Sequence, residues 1–319
     1  MNESSPMVVA DPLAAFERTG MVKVIAPAKT NLYLDIKDKR TDGYHEVATI
    51  LHTLSLHDVL HLDCTQAQES GLSIEVACYP REGLDPLDIA AEDNIVFKAI
   101  ALLAEKIGRA EDEKISVRIE KHIPHEAGLG GGSSDAAAAL IGMAQIWGID
   151  SEAPELLEAA QELGADVAFF LKGGCAYYTG KGEVFDHALE PMKKSAVLIK
   201  PEQGVSTHAS YAAFDKNPVS LDPEVQAQAF SAQRAEDVPL RNNLEAASQS
   251  LLPELVDIAA WIEGQAGVEA SLLSGSGSAA FALCETFNDA CRIVSAARIC
   301  GWWARTTTLC SLGASIAPR

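Results

Sequence analysis

Nowhere in this chain are two cysteines spaced Cys-x-x-Cys. The seven cysteines, at 64, 78, 175, 284, 291, 300 and 310, are odd in number. Neither zinc-ligand spacing nor a closed disulfide framework is indicated, and no metal ligand set is expected. Reduced thiols of a cytoplasmic protein are the expectation. There is no apolar run of about 18 residues to cross a bilayer. Residues 1–20 lack a basic start followed by an apolar block, so they read as a flexible N-terminal extension and not as a signal or transit peptide. Positive charge is scarce: 25 Lys and Arg stand against 45 Asp and Glu, a net charge of −20. Such a surface repels phosphate backbones and anionic membranes, which sets aside nucleic acid and membrane as partners. It leaves room for a small anion, because a few lysines and helix N-termini make a local positive pocket.

What is present is a chain of 319 residues, 48% hydrophobic, enough for two domains. Val22–Ala26 reads as a strand ended by Pro27, and Asn31–Ile36, with Leu32, Leu34 and Ile36 on one face, as a second strand. Glu46–Asp63 is β-rich with a break at His57-Asp58, and Leu72–Cys78 alternates again. The period then changes. Ile95, Ala99, Leu102, Leu103 and Ile107 form a helical stripe closed by Gly108. A strand is expected over 115–119, and helices over Ser133–Trp147 and Pro154–Leu163, the latter with proline in its first turn and Gly164 beyond its end. Strands follow at Cys175–Thr179 and Ala196–Lys200. Residues 215–240, with Pro218, Pro223 and Pro239, read as an irregular connection. The C-terminal part reads strand 268–273, loop 274–277, strand 279–283, helix 287–299 and strand 302–308, a small α+β unit.

The segment richest in chemistry is Pro124-His125-Glu126-Ala127-Gly128-Leu129-Gly130-Gly131-Gly132-Ser133-Ser134-Asp135. Four glycines in five residues let a backbone turn tightly and let a ligand approach its N–H groups. The helix that follows adds donors and the positive end of its dipole, which together make a phosphate cradle. Ser133 or Ser134 could reach a phosphate or its Mg²⁺. The plainer alternative is a flexible connection capped by serine. A Walker A loop is excluded because no lysine follows the glycines. A dinucleotide fingerprint fits poorly, since Ser133 stands at the third glycine and no strand ending in an acid follows.

This loop resembles the second of three motifs of the GHMP kinases. Pro27-Ala28-Lys29-Thr30-Asn31-Leu32 resembles the first, and Leu273-Ser274-Gly275-Ser276-Gly277-Ser278 the third, in the expected order. Arg40-Thr41-Asp42-Gly43-Tyr44-His45-Glu46 and Leu163-Gly164-Ala165-Asp166-Val167-Ala168-Phe169-Phe170 narrow the resemblance to the diphosphocytidyl-methylerythritol kinases. His125-Glu126-Ala127 stands where that family often has more glycine, and Ala168 where it usually has proline.

The resemblance implies an α+β, two-domain fold. An ATP-binding domain over 21–190 would resemble the second domain of ribosomal protein S5, and a ferredoxin-like substrate domain would cover 191–319, with the active site between them. It implies an ATP-dependent kinase of the non-mevalonate isoprenoid route that phosphorylates 4-diphosphocytidyl-2-C-methyl-D-erythritol, using ATP and Mg²⁺, as a monomer or weak homodimer. Other GHMP kinases, acting on homoserine or mevalonate, and a silent nucleotide-binding module are the rivals.

The implied catalytic residues are Asp166, as general base, and Lys29 beside it. Taken alone, Asp166 also reads as a helix N-cap and Lys29 as a surface lysine. ATP would contact residues 124–134, with Asn94 and Lys121. Asn94 equally reads as a helix cap. The acceptor would contact Asn31, Tyr44, His45, Gly275, Ser276 and Gly277, with Tyr44 stacking on cytosine and Tyr211 or Phe214 offering a second face.

Overall fold

In a computed structural model, residues 21–67, 69–81, 83–86 and 89–318 are described; the extension expected over 1–20 lies outside them. In chain order the first half contains β1 (Val22–Lys39), β2 (His45–Gln66), β3 (Leu72–Pro80), α1 (Ile95–Lys106), β4 (Glu113–Lys121), α2 (Gly131–Trp147), α3 (Pro154–Leu163), α4 (Ala165–Lys172), β5 (Cys175–Thr179) and β6 (Val184–Leu189). Then follow β7 (Ser195–Lys200), α5 (Thr207–Phe214), α6 (Pro223–Ser231), β8 (Arg241–Asn242), α7 (Glu245–Leu251), α8 (Glu254–Glu263), β9 (Val268–Leu273), β10 (Ala280–Cys284), α9 (Phe287–Ile299), β11 (Trp303–Thr308) and β12 (Ser315–Ile316).

Two expectations about β1 and β2 need correction. The strands placed before and after Pro27 are one strand of 18 residues. Its pairing with β2 jumps from Pro27–His57 to Lys29–Thr53, an irregularity that accommodates a residue without an N–H. Nor does β2 break at His57-Asp58; it pairs with β5 through residues 49–52 and with β4 through 59–66.

The first sheet runs β12-β1-β2-β4-β3, with β5 beside β2, β6 beside β5 and β8 beside β1. Helices α1 to α4 cover one face and share a core with Leu60, Leu62, Ile115 and Val117. The buried alanines 136–139 keep α2 thin. Gly142 lets it lie close, since a Cβ there would sit 2.8 Å from a Leu62 methyl.

The second sheet is antiparallel, in the order β11-β7-β10-β9. Its residues alternate as the strand period requires. Val197, Ile199, Ala280 and Ala282 face α8 and α9. Ala196, Leu198, Phe281 and Leu283 pack with Leu32, Tyr33, Ile50 and Leu54 of the first sheet. The expected strand–loop–strand–helix–strand unit at the C-terminal end is present. The span 215–240 is not irregular throughout: Pro223 sits at the start of α6, and Asp222 caps it by accepting from Glu224 N–H. Among the described residues, no helix is long and apolar enough to cross a membrane.

Candidate active site

Two glycine loops, the strand bearing Lys29 and the start of α4 meet around a cavity of about 550 Å³. The first loop takes its shape from residues at positive φ: Gly128 and Gly130 at +72°, and Glu126 at +49°. Glu126 thus holds, without being glycine, a backbone conformation that glycine adopts more easily. The helix after the loop begins at Gly131, with Gly130 as its N-cap and no acidic residue in its first turn. Its first N–H groups have no intrahelical partner, and Gly130, Gly131, Gly132 and Ser133 line the cavity. Ser134 turns inward; its hydroxyl is fully buried and has no hydrogen-bond partner among the described residues.

Close approach explains the glycines. A Cβ on Gly130 would meet the Phe170 ring at 2.8 Å and Lys29 Cγ at 3.0 Å; one on Gly128 would stand 1.9 Å from the Ser274 carbonyl oxygen. The loops are also hydrogen-bonded to one another. Ser278 N–H donates to Glu126 O at 3.1 Å, Ala279 N–H to Ala127 O at 3.1 Å, and Ser274 Oγ to Gly128 O at 2.9 Å.

Lys29 N–H donates to Leu129 O at 2.9 Å, which ties β1 to the first loop. Its ammonium donates to Asn31 Oδ1 at 2.7 Å and lies 3.8 Å from Asp166 Oδ2. Asn31 is oriented in turn: its Nδ2 donates to Thr49 Oγ1, which donates to Tyr33 O, each at 2.8 Å. Burial lowers the Lys29 pKa below the usual lysine value, opposed by the charge of Asp166. The second loop closes on the same group, since a Cβ at Gly275 would lie 3.4 Å from Lys29 Nζ. Asp166 is not an N-cap. Gly164 holds that position, and Asp166 lies in the first turn of α4 with a third of its side chain exposed.

Asn94 lines the cavity and is the N-cap of α1, its Oδ1 accepting from Val96 N–H at 2.9 Å. The cap role thus leaves Asn94 at the cavity wall. Pro124, His125, Glu126, Ala127 and Leu129 also line the cavity, as does Lys121, which is held between Asp58 and Asp135. Gly275 and Ser276 line the opposite wall, and Ser276 Oγ lies 2.9 Å from Thr207 Oγ1. Gly277 supports that loop, donating its N–H to Ser274 O at 2.9 Å.

Tyr44 stands 59% exposed beside the turn at 41–43, with the Lys181 ammonium 4.6 Å from its ring centre. His45 is buried; its Nε2 lies 2.7 Å from Asp215 Oδ1 and its ring 5.4 Å from that of Tyr211. Tyr211 lines the cavity, whereas Phe214 packs in a core with Leu34, Ile36 and Val47. Lys181, Thr207 and Asp215 were not foreseen from sequence. The flanking glycines of Gly180-Lys181-Gly182 signal an exposed basic turn, whereas Asp215 reaches His45 from 170 positions away.

Among the described residues no group of three or more His, Cys, Asp or Glu side chains is arranged to hold a metal ion.

Residues 94–174 match the family described as GHMP kinases N terminal domain, and residues 228–301 the one described as GHMP kinases C terminal. A 4-diphosphocytidyl-2-C-methyl-D-erythritol kinase of Desulfitobacterium hafniense is 37% identical over 278 residues, covering 86% of this chain and 91% of its own length. The enzyme of the same name from Mycobacterium tuberculosis is 36% identical over 294 residues, covering 88% and 89%. A crystal structure of 4-(cytidine 5'-diphospho)-2C-methyl-D-erythritol kinase superposes with a TM-score of 0.72 at 33% identity, over 90% of this chain and 98% of that one. Homoserine kinase from Cytophaga hutchinsonii shares the fold, with a TM-score of 0.69 at 20% identity, over 94% and 98% of the two chains.

Proposed function

Because the chain belongs to the 4-diphosphocytidyl-2-C-methyl-D-erythritol kinases, a family within the two-domain, α+β GHMP kinases, we infer that it transfers the γ-phosphoryl group of ATP to the 2-hydroxyl of 4-diphosphocytidyl-2-C-methyl-D-erythritol, releasing the 2-phosphate and ADP. The observation that carries this reading is the convergence of both glycine loops on the Lys29–Asp166 pair.

Phosphoryl transfer asks the protein chiefly to position its reactants and offset charge. The first loop and the start of α2 would hold the ATP phosphates, with Asn94 at the nucleotide end of the cavity. Asp166 would accept the proton of the 2-hydroxyl as that oxygen bonds the γ-phosphorus and the bond to the β-phosphate oxygen breaks. Lys29, fixed by Asn31, would offset the negative charge developing there. Tyr211 would offer an aromatic face for cytosine, with Tyr44 a second beside Lys181, and His45, anchored by Asp215, a polar edge. Gly275 and Ser276 would flank the acceptor from the second loop. Mg²⁺ enters this reading as part of the MgATP substrate, with Ser133 facing the phosphates at the helix start. Division into an ATP-binding part over 21–190 and a substrate part over 191–319, a cytoplasmic location and a monomer or weak homodimer complete the proposal.

The test is direct. Purified protein, MgATP and the cytidyl alcohol should give ADP and a 2-phosphate monoester seen by phosphorus NMR, while homoserine and mevalonate give none. ADP formation with either of those alcohols and not with the cytidyl substrate would reject the assignment.

A further inference from the structure

Behind the first glycine loop lie three ionisable groups that the transfer chemistry does not use. Asp58 is wholly buried on β2, Lys121 ends β4, and Asp135 sits in the early part of α2; each is less than a tenth exposed. The Lys121 ammonium donates to Asp58 Oδ2 and, at 2.6 Å, to Asp135 Oδ2. The other oxygen of Asp58 accepts from the backbone N–H groups of His122 and, at 2.8 Å, Ile123. These are the residues that lead into Pro124. Asp58 therefore grips the entrance of the loop, and through Lys121 it is joined to the helix at the loop's exit. The middle of this bridge lies under the cradle: a Cβ on Gly131 would sit 3.5 Å from Lys121 Nζ and 2.9 Å from an Ile123 methyl.

Burying a lysine with two carboxyls is costly; burial, with the charge of Asp58, pushes the Asp135 carboxyl up to about 8 against the pull of Lys121, and well-packed apolar side chains often serve stability as well or better. What the charged arrangement adds is direction, because each hydrogen bond fixes an atom of the loop or of α2. We propose that Asp58, Lys121 and Asp135 form a charged strut that sets where the glycine loop holds the nucleotide phosphates. Asp58 is a positioning residue in it, acting through Lys121 and the His122 and Ile123 amides without contact to nucleotide. This rests on the reading that residues 124–134 bind ATP. Lys121 and Asp135 line the cavity, so neither alone separates positioning from direct contact; Asp58 does not line it.

The test measures ADP binding by calorimetry, which needs no acceptor, alongside steady-state constants for both substrates. In Asp58→Asn the new amide donors face the Lys121 ammonium. ADP affinity should fall tenfold or more, KM for ATP should rise in step, and KM for the cytidyl alcohol should stay within twofold. Lys121→Met should weaken ADP to a similar degree, and the Asp58→Asn/Lys121→Met double variant should be no weaker than the worse single variant, as for residues acting as one unit. ADP affinity within twofold of the unmodified protein in Asp58→Asn would overturn the proposal. So would single effects that multiply in the double variant, since Lys121 would then act on the nucleotide independently of Asp58. Should Asp58→Asn fail to fold, Asp58→Glu, whose longer arm displaces the His122 and Ile123 amides while keeping the charge, carries the same expectation and the same threshold. A protein that binds ADP but does not phosphorylate the cytidyl alcohol would defeat the assigned reaction while leaving the strut to be judged on binding.

Discussion

Lys29 and Asp166 face each other with Nζ and Oδ2 3.8 Å apart, the lysine side chain 6% exposed and the carboxylate 33%. The separation is longer than a direct hydrogen bond. One of the three ammonium donors goes to Asn31 at 2.7 Å, and the carboxylate is the exposed member of the pair. One member of the pair is fixed and dry, and the other is open to an incoming hydroxyl.

Asp166→Asn keeps shape and removes the proton acceptor; Lys29→Met keeps length and removes the charge. Each should lower kcat by about 10²–10⁴, the usual range for a positioned acid–base or electrostatic group. KM for ATP should change less than about tenfold. Near-normal turnover in both variants would remove the assignment.

Gly128 has no room for a side chain, because its Cβ would overlap the Ser274 carbonyl at 1.9 Å and its φ is +72°. Gly128→Ala should push the two glycine loops apart and lose about 100-fold or more in kcat/KM for ATP. The backbone conformation alone costs roughly 1–2 kcal/mol. Gly148, also at positive φ but with open space around its Cβ position, is the control: Gly148→Ala should lower the melting temperature while leaving kcat/KM within about twofold. Equal losses of activity in both would show that strain, and not the loop contact, is responsible.

Tyr211 lines the cavity; Tyr44 does not, and touches it only through Lys181, whose ammonium lies over its ring. Tyr211→Ala should raise KM for the cytidyl alcohol by about 10- to 100-fold, in keeping with roughly 1–3 kcal/mol for a stacked base, and leave KM for ATP within twofold. Tyr44→Ala should act in the same direction and less strongly. A matching rise in KM for ATP would count against stacking on cytosine.

His52 gives a pH dependence that is independent of the active site. It is fully buried; its Nδ1 lies 2.9 Å from Thr53 O and its Nε2 accepts from Met192 N–H at 3.0 Å. A proton on Nε2 would face another donor. Burial is the leading cause that lowers its pKa from 6.5 to about 4. The unfolded chain takes up that proton as pH falls through 6.5, and the folded chain does so only near 4. The contribution is therefore intact above 6.5 and declines as pH drops to 4, by on the order of 3 kcal/mol in total. Urea unfolding at pH 7 and 4.5 should show this loss, and His52→Gln should show a visibly flatter pH profile between those points. An unchanged profile would reject the assignment to His52.

Local signals made much of this molecule legible. Four glycines before an alanine-rich helix marked the loop that lines the cavity, and hydrophobic spacing located α1 and the alternating strands. Pro27 misled because a proline is read as the end of a strand, while here the register of the partner strand changes to absorb it. In 215–240 the three prolines outweighed the Asp222-Pro223 pair, a sound helix start. The strut was beyond local reading: Asp58 and Lys121 are 63 positions apart and Lys121 and Asp135 are 14 apart, and only the pairing of β2 with β4 and the packing of α2 on that sheet make them neighbours. The same holds for His45 and Asp215, joined by the packing of Tyr211 and Phe214 of α5 against the start of β2.

The backbone bonds from Ser278 and Ala279 to Glu126 and Ala127 have a bearing on how the molecule cycles. They rivet the loop before α2 to the turn before β10, so parting the two glycine loops would have to tear those rivets.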